Sequence, residues 1–132
     1  MASIENAVLS ISHDKNKKTA DVLVKCDVKF TNLELCQMKS CQGRWFKLKC
    51  QLWGEDSGLT GNDDHLFTSS EVIFFPDINP TAIETKTFRI TVGEGVLDED
   101  WGVDEVFALL ILTNLNSMVQ VKKKTNVVSH SF

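Results

Sequence analysis

The chain contains no tyrosine, two prolines, and no apolar run long enough to cross a bilayer as a helix. It also lacks a Cys-x-x-Cys pair. The cysteines stand at 26, 36, 41 and 50, so the zinc and thioredoxin spacings are both missing. There is no Gly-x-Ser-x-Gly elbow and no glycine-rich phosphate loop followed by Lys-Ser/Thr, and the stretch from Gly58 to Gly61 is without the Asp-Thr-Gly of aspartic proteases. His13, His65 and His130 are widely separated, with no ligand spacing on one strand. Enzymatic chemistry has no local motif to rest on, and the expectation is a non-enzyme. Residues Met1 to Asn6 carry neither a basic nor an apolar signal region, so the cytoplasm is the simplest location and free thiols are the expected state of the cysteines.

The formal net charge is −4 and the basic residues are dispersed along the chain. The one dense run, Lys122 to Lys124, is too short to make a phosphate-binding surface, which argues against a nucleic-acid partner. The length of 132 residues and the hydrophobic share of 42% fit one soluble globular domain spanning residues 1–132. A domain of this size buries roughly two-thirds of the surface its unfolded chain exposes, so no metal or disulfide staple is required for folding.

What the chain does have is period-two alternation. From Thr19 to Phe30, Ala20, Val22, Val24, Cys26, Val28 and Phe30 face one way and charged residues the other, which predicts a half-buried strand. The segment Ser3–Ser12 predicts a first strand with an irregularity near Asn6, paired to the second as a hairpin. Arg44–Trp53 alternates again, with Phe46, Leu48, Cys50 and Leu52 inward and the lysines, Trp45 and Trp53 outward. His65–Phe75 reads as one bulged strand or two short ones broken near Ser69, ended by Pro76 and Pro80. Thr85–Val92 and Met118–Phe132 supply two more strands, the last carrying lysines that protect an exposed edge. Leu33 to Cys41 has no clear period and reads as a short helix, an edge strand or a folded loop. Short strands at regular spacing predict an all-β single antiparallel β-sandwich of seven to eight strands, immunoglobulin-like or C2-like.

The run Glu105–Thr113 is apolar on both alternating faces: Val106, Ala108, Leu110 and Leu112 on one, Phe107, Leu109 and Ile111 on the other. That pattern marks a strand covered on both sides. The second face requires cover, either from Leu33–Cys41 folding across it, from a second subunit, or from two layers of one enlarged core, with the intramolecular cover preferred. The corner before this strand, Asp100-Trp101-Gly102, resembles in position the corner before strand F of immunoglobulin-like domains. The tyrosine of that corner is absent here, and the cysteine positions do not match.

Strands that alternate up and down bring the turns after the first, third and fifth strands to one end. Glu55, Asp56, Asp63 and Asp64 then approach Asp98, Glu99, Asp100 and Asp104. So many carboxylates repel unless screened, and flexible oxygen-bearing loops are what calcium takes, as in C2-like modules. Asp56, Asp63, Asp64, Asp98, Asp100 and Asp104 are the candidate calcium ligands, although the EF-hand spacing fails from Asp98. The bland alternative is a set of solvated turn residues. Trp53 and Trp101, each beside a glycine and near acidic residues, are candidate contacts for a ligand or partner, as in carbohydrate-binding lectin-like domains. Their bland alternative is an indole plugging one end of the core. The functional expectation is a non-enzymatic binding or assembly module, with a protein partner or self-association and the acidic loops as the candidate site.

Overall fold

The computed structural model describes residues 1–14, 16–55, 64–77, 79–93, 95 and 103–131, with the backbone alone at 64, 103, 104, 130 and 131. Among the described residues the elements run β1 (Ser3–Asp14), β2 (Thr19–Lys29), α1 (Asn32–Ser40), β3 (Phe46–Gly54), β4 (Asp64–Thr68), β5 (Ile73–Phe75), β6 (Ile83–Gly93), β7 (Val103–Asn114), β8 (Gln120–Lys124) and β9 (Val128–Ser131). They form an all-β sandwich of two antiparallel sheets packed together. The first sheet has the order β1-β2-β6, and the second β4-β3-β7-β8, with β5 also on β3 and β9 also on β7.

Two edge strands of the second sheet are therefore each one lane broken in the middle. β4 pairs with Gln51–Gly54 and β5 with Phe46–Leu48, both antiparallel to β3, while the Ser69 amide between them still donates to the Cys50 carbonyl (3.0 Å). The chain does not reverse at the break, so later strands keep the direction that simple alternation assigns. On the other side β8 pairs with Leu109–Thr113 and β9 with Val103–Val106. Thr125 bridges that gap: its amide donates to the Ala108 carbonyl (2.9 Å), and its hydroxyl accepts from the Ala108 amide (2.9 Å). The single final strand expected from Met118 to Phe132 is thus two, because one side chain takes over a ladder hydrogen bond.

The core follows the alternation. Ala20, Val22, Val24, Cys26 and Val28 of β2 and Phe88, Ile90 and Val92 of β6 meet Phe46, Leu48, Cys50 and Leu52 of β3 and Val106, Ala108, Leu110 and Leu112 of β7, all buried. Phe30 closes one end against Phe46 and Phe75, with ring centroids 5.1 and 5.2 Å away. The irregularity expected in β1 is a bulge between Glu5 and Val8, where Asn6 adopts φ +52°. Asparagine tolerates this left-handed conformation better than most residues.

One side chain ties the two sheets at their edges. The Asn126 amide accepts from the Leu9 N–H (2.8 Å) and donates to the Leu9 carbonyl (3.1 Å), imitating one rung of a ladder between β1 and the β8/β9 lane. At the other end of β1, α1 begins with a capping box: the Glu34 amide donates to the Thr31 hydroxyl (3.2 Å), and the Thr31 amide to the Glu34 carboxylate (2.8 Å). The same carboxylate accepts from the Ala2 amide (3.1 Å), and Met38 is buried in the core. The helix therefore seals the end of the sandwich beside the N-terminus. It does not cross the outer face of β7, which corrects the preferred cover for Phe107, Leu109 and Ile111.

Candidate functional site

The register settles which strand ends meet. Gly54 lies opposite both Asp64 of β4 and Val106 of β7, and the Glu55 amide donates to the Glu105 carbonyl (2.8 Å). In the first sheet Thr19 lies opposite Gly93, next to the β1–β2 turn in which Asp14 accepts from the amides of Asn16 (3.0 Å) and Lys17 (3.2 Å). Met1 and Ala2, which lead into β1, line a small recess with Phe46 and Asn114, so the other end of β1 lies with the end of β3 and the start of β7. The strand ends that flank the acidic loops converge at one end of the sandwich. Asp64 opens β4, and Asp104 lies opposite His130 of β9. Asp56, Asp63, Asp98, Asp100 and Trp101 lie outside the described residues. Among the described residues, no three His, Cys, Asp or Glu side chains are grouped so as to hold a metal ion.

The outer face of the second sheet is better defined. Pairing across β3, β7 and β8 sets Trp53 beside Phe107, then Gln51, Leu109 and Lys124 in one row, Lys49, Ile111 and Lys122 in the next, and Lys47, Thr113 and Gln120 after that. Phe107 is 5% exposed although it stands outside the main core: the Lys124 ammonium sits 4.0 Å from its ring centroid and is held by Glu55 at 3.0 Å. Leu109 and Ile111 remain partly exposed, Ile111 between Lys49 and Lys122 and Leu109 between Gln51 and Lys124. The Arg44 guanidinium lies 4.0 Å over the Phe74 ring, beside Lys47. Lys47, Lys49 and Lys122 make no ion pair with any described residue. Cations that are dispersed in the sequence are thus gathered in space, because β3 and β8 flank β7 and put their outward lysines on one face.

Trp53 belongs to this face and does not plug the core. Its indole N–H donates to the Gln51 side-chain oxygen two residues back (3.0 Å), and His65 meets it edge-on at 5.3 Å. Trp45, expected outward, packs partly against the core cluster instead.

A third feature was not singled out from the sequence. Glu84 and Lys86 point inward from β6 at the open edge between the sheets, together with Asp77. Lys86 reaches Asp77 at 3.2 Å and Glu84 at 3.8 Å, and Glu84 Oε2 is buried without a hydrogen-bond partner. Burial, then the hydrogen bond and charge of Asp77, pushes the Glu84 carboxyl up to about 7. The hydrogen bond from Glu84 holds Asp77 below its ordinary value. Inward charges on an edge strand are also a known defence against pairing with another chain.

The cysteines are free, Cys26 and Cys50 buried and Cys36 and Cys41 exposed. Burial pushes the Cys26 thiol up to about 11 and the Cys50 thiol up to about 12, so neither is a nucleophile at neutral pH.

No family model matches the chain, and no curated protein matches it. Among solved structures, one similar chain is a Northeast Structural Genomics Consortium target, at TM-score 0.40 and 8% identity, covering 97% of this chain and 84% of its own. Another is a Bordetella pertussis protein carrying the provisional name ApaA, at TM-score 0.36 and 6% identity, covering 98% of this chain and 89% of its own. Likeness this remote says nothing about what the chain does.

Proposed function

We propose that the chain is a non-enzymatic binding or assembly module whose principal contact surface is the outer face of β3, β7 and β8. One observation carries this reading. β7 presents Leu109 and Ile111 on a face that no described element crosses, where an ordinary solvated face would be polar. Self-association through that face is disfavoured, since a two-fold axis near Ile111 would bring lysine against lysine. A protein partner is the better fit. The order of lanes supports an immunoglobulin-like relationship, differing from the constant-type arrangement in the sheet to which the fourth lane is attached. The test is photo-crosslinking in the native cell with Ile111→p-benzoylphenylalanine and, as a control on the first sheet, Leu23→p-benzoylphenylalanine. Discrete adducts at 111 and none at 23 are expected; equal or no adducts at both would refute the reading.

A second reading, a calcium-dependent C2-like module, draws support from the convergence of the acidic-loop flanks at one end. Its test is a melting curve with millimolar calcium against magnesium. Stabilisation specific to calcium supports it, and equal curves remove it.

A further inference from the structure

We infer that the partner segment received by the outer face of β3, β7 and β8 is acidic and amphipathic, with aliphatic side chains for Leu109 and Ile111 and carboxylates for the lysines beside them. The inference rests on the proposed contact surface and adds the chemistry of what it binds. Two lysine rails border the aliphatic strip: Lys47 and Lys49 on β3, Lys122 and Lys124 on β8. Neighbouring lanes lie about 4.8 Å apart, and alternate residues of a strand about 7 Å apart, so Lys49 and Lys122 flank Ile111 some ~10 Å from each other. An amphipathic helix whose apolar stripe lies over Leu109 and Ile111 carries carboxylates on the flanks of that stripe, where they reach the rails on either side. Lys47, Lys49 and Lys122 have no ion-pair partner among the described residues, so their charge is open to a partner, whereas Lys124 is already engaged by Glu55. The chain as a whole carries net charge −4, so this concentration of cations runs against its average and steers an acidic partner to one face.

The same geometry disfavours other occupants. Single-stranded nucleic acid needs a run of free aromatic faces for stacking, yet Phe107 lies under the Lys124 ammonium, Phe74 under the Arg44 guanidinium and Trp53 against His65, and the central strip is aliphatic. A bilayer takes protruding apolar side chains. Leu109 and Ile111 are partly covered and have lysines in the neighbouring lanes, so they offer no protruding apolar surface.

The experiment is a selection of random peptides on the immobilised full chain, with each enriched peptide measured against the parent, Leu109→Asp, and a double variant Lys49→Glu with Lys122→Glu. The double variant alters outward-facing side chains and keeps the test valid even if Leu109→Asp fails to fold. The expected result is enrichment of sequences mixing carboxylates with aliphatic residues, binding that weakens about tenfold or more in both variants, and weakening with added salt. Apolar peptides without carboxylates, lost only with Leu109→Asp, would keep the contact surface and overturn its acidic partner. Peptides that bind all three proteins equally would overturn both. Binding of oligothymidylate or phosphatidylserine vesicles that is lost in the double variant and retained in Leu109→Asp would also overturn the inference.

Discussion

Replacing Asn126 by alanine removes a side chain that joins the β1 edge to the opposite sheet by pairing with both Leu9 backbone groups, at 2.8 and 3.1 Å. Each such hydrogen bond is worth about 1 kcal/mol net, and a backbone group left without a partner in a dry site costs about 1–3 kcal/mol. Leu9 is only 2% exposed, but Asn126 stands at the surface, so water reaches the vacated site and offsets part of the penalty. The two terms together predict a destabilisation of about 2–3 kcal/mol, a large fraction of the roughly 5–15 kcal/mol that holds a domain together. For a chain of this length that corresponds to a fall in Tm of about 6–12 °C. Urea unfolding followed by tryptophan fluorescence measures it, with the m-value unchanged if the loss is local to the native state. Asn126→Asp keeps an acceptor for the Leu9 N–H but sets an oxygen against the Leu9 carbonyl, so it recovers less than half of the loss. A change below about 0.5 kcal/mol for Asn126→Ala would refute the staple, since that is the scale of an ordinary surface substitution.

Glu84 makes stability depend on pH in a defined direction. Its carboxyl rises from an ordinary value of 4.5 to about 7 in the folded chain, so its contribution is complete below about 4.5 and is lost as pH climbs through 7. Because nearby solvent screens part of the shift, the loss is about 1–2 kcal/mol, and Glu84→Gln should flatten the denaturation midpoint between those pH values. An unflattened profile would mean another group titrates there. Thiol labelling in the native state should modify Cys36 and Cys41 rapidly and Cys26 and Cys50 only on unfolding, as their exposure and raised thiol pKa dictate. Rapid modification of all four in buffer would contradict the buried placement.

The strands were legible because a half-buried sheet imposes period two, and β2, β3 and β6 obey it nearly without interruption. The bulge at Asn6 was legible as a break in that period. The helix was less so, although Thr31-Asn32-Leu33-Glu34 carries the Thr-x-x-Glu pattern of a capping box, a signal that outranks the missing hydrophobic period of a nine-residue helix. The Glu84 cluster was hidden by starting β6 at Thr85: one residue earlier, 84 and 86 fall on the inward positions shared with 88, 90 and 92. The lysine-framed face could not be read from chain order, because Lys47 and Lys49 are brought to Lys122 only by their common pairing with β7. For the acidic end, alternation of strand direction was enough to bring the flanks of the loops together, since the break between β4 and β5 leaves the direction of the edge lane unchanged.

The central claim is that β7 has one core face and one contact face, and the unfolding free energies of Leu109→Asp and Leu110→Asp test it most directly. Leu110 is 0% exposed in the core, so a carboxylate there should cost more than about 4 kcal/mol or prevent folding. Leu109, on the lysine-framed face, should lose about 1 kcal/mol or less and retain a cooperative transition. Comparable collapse of both variants would contradict the account, since it would make the second face part of the core.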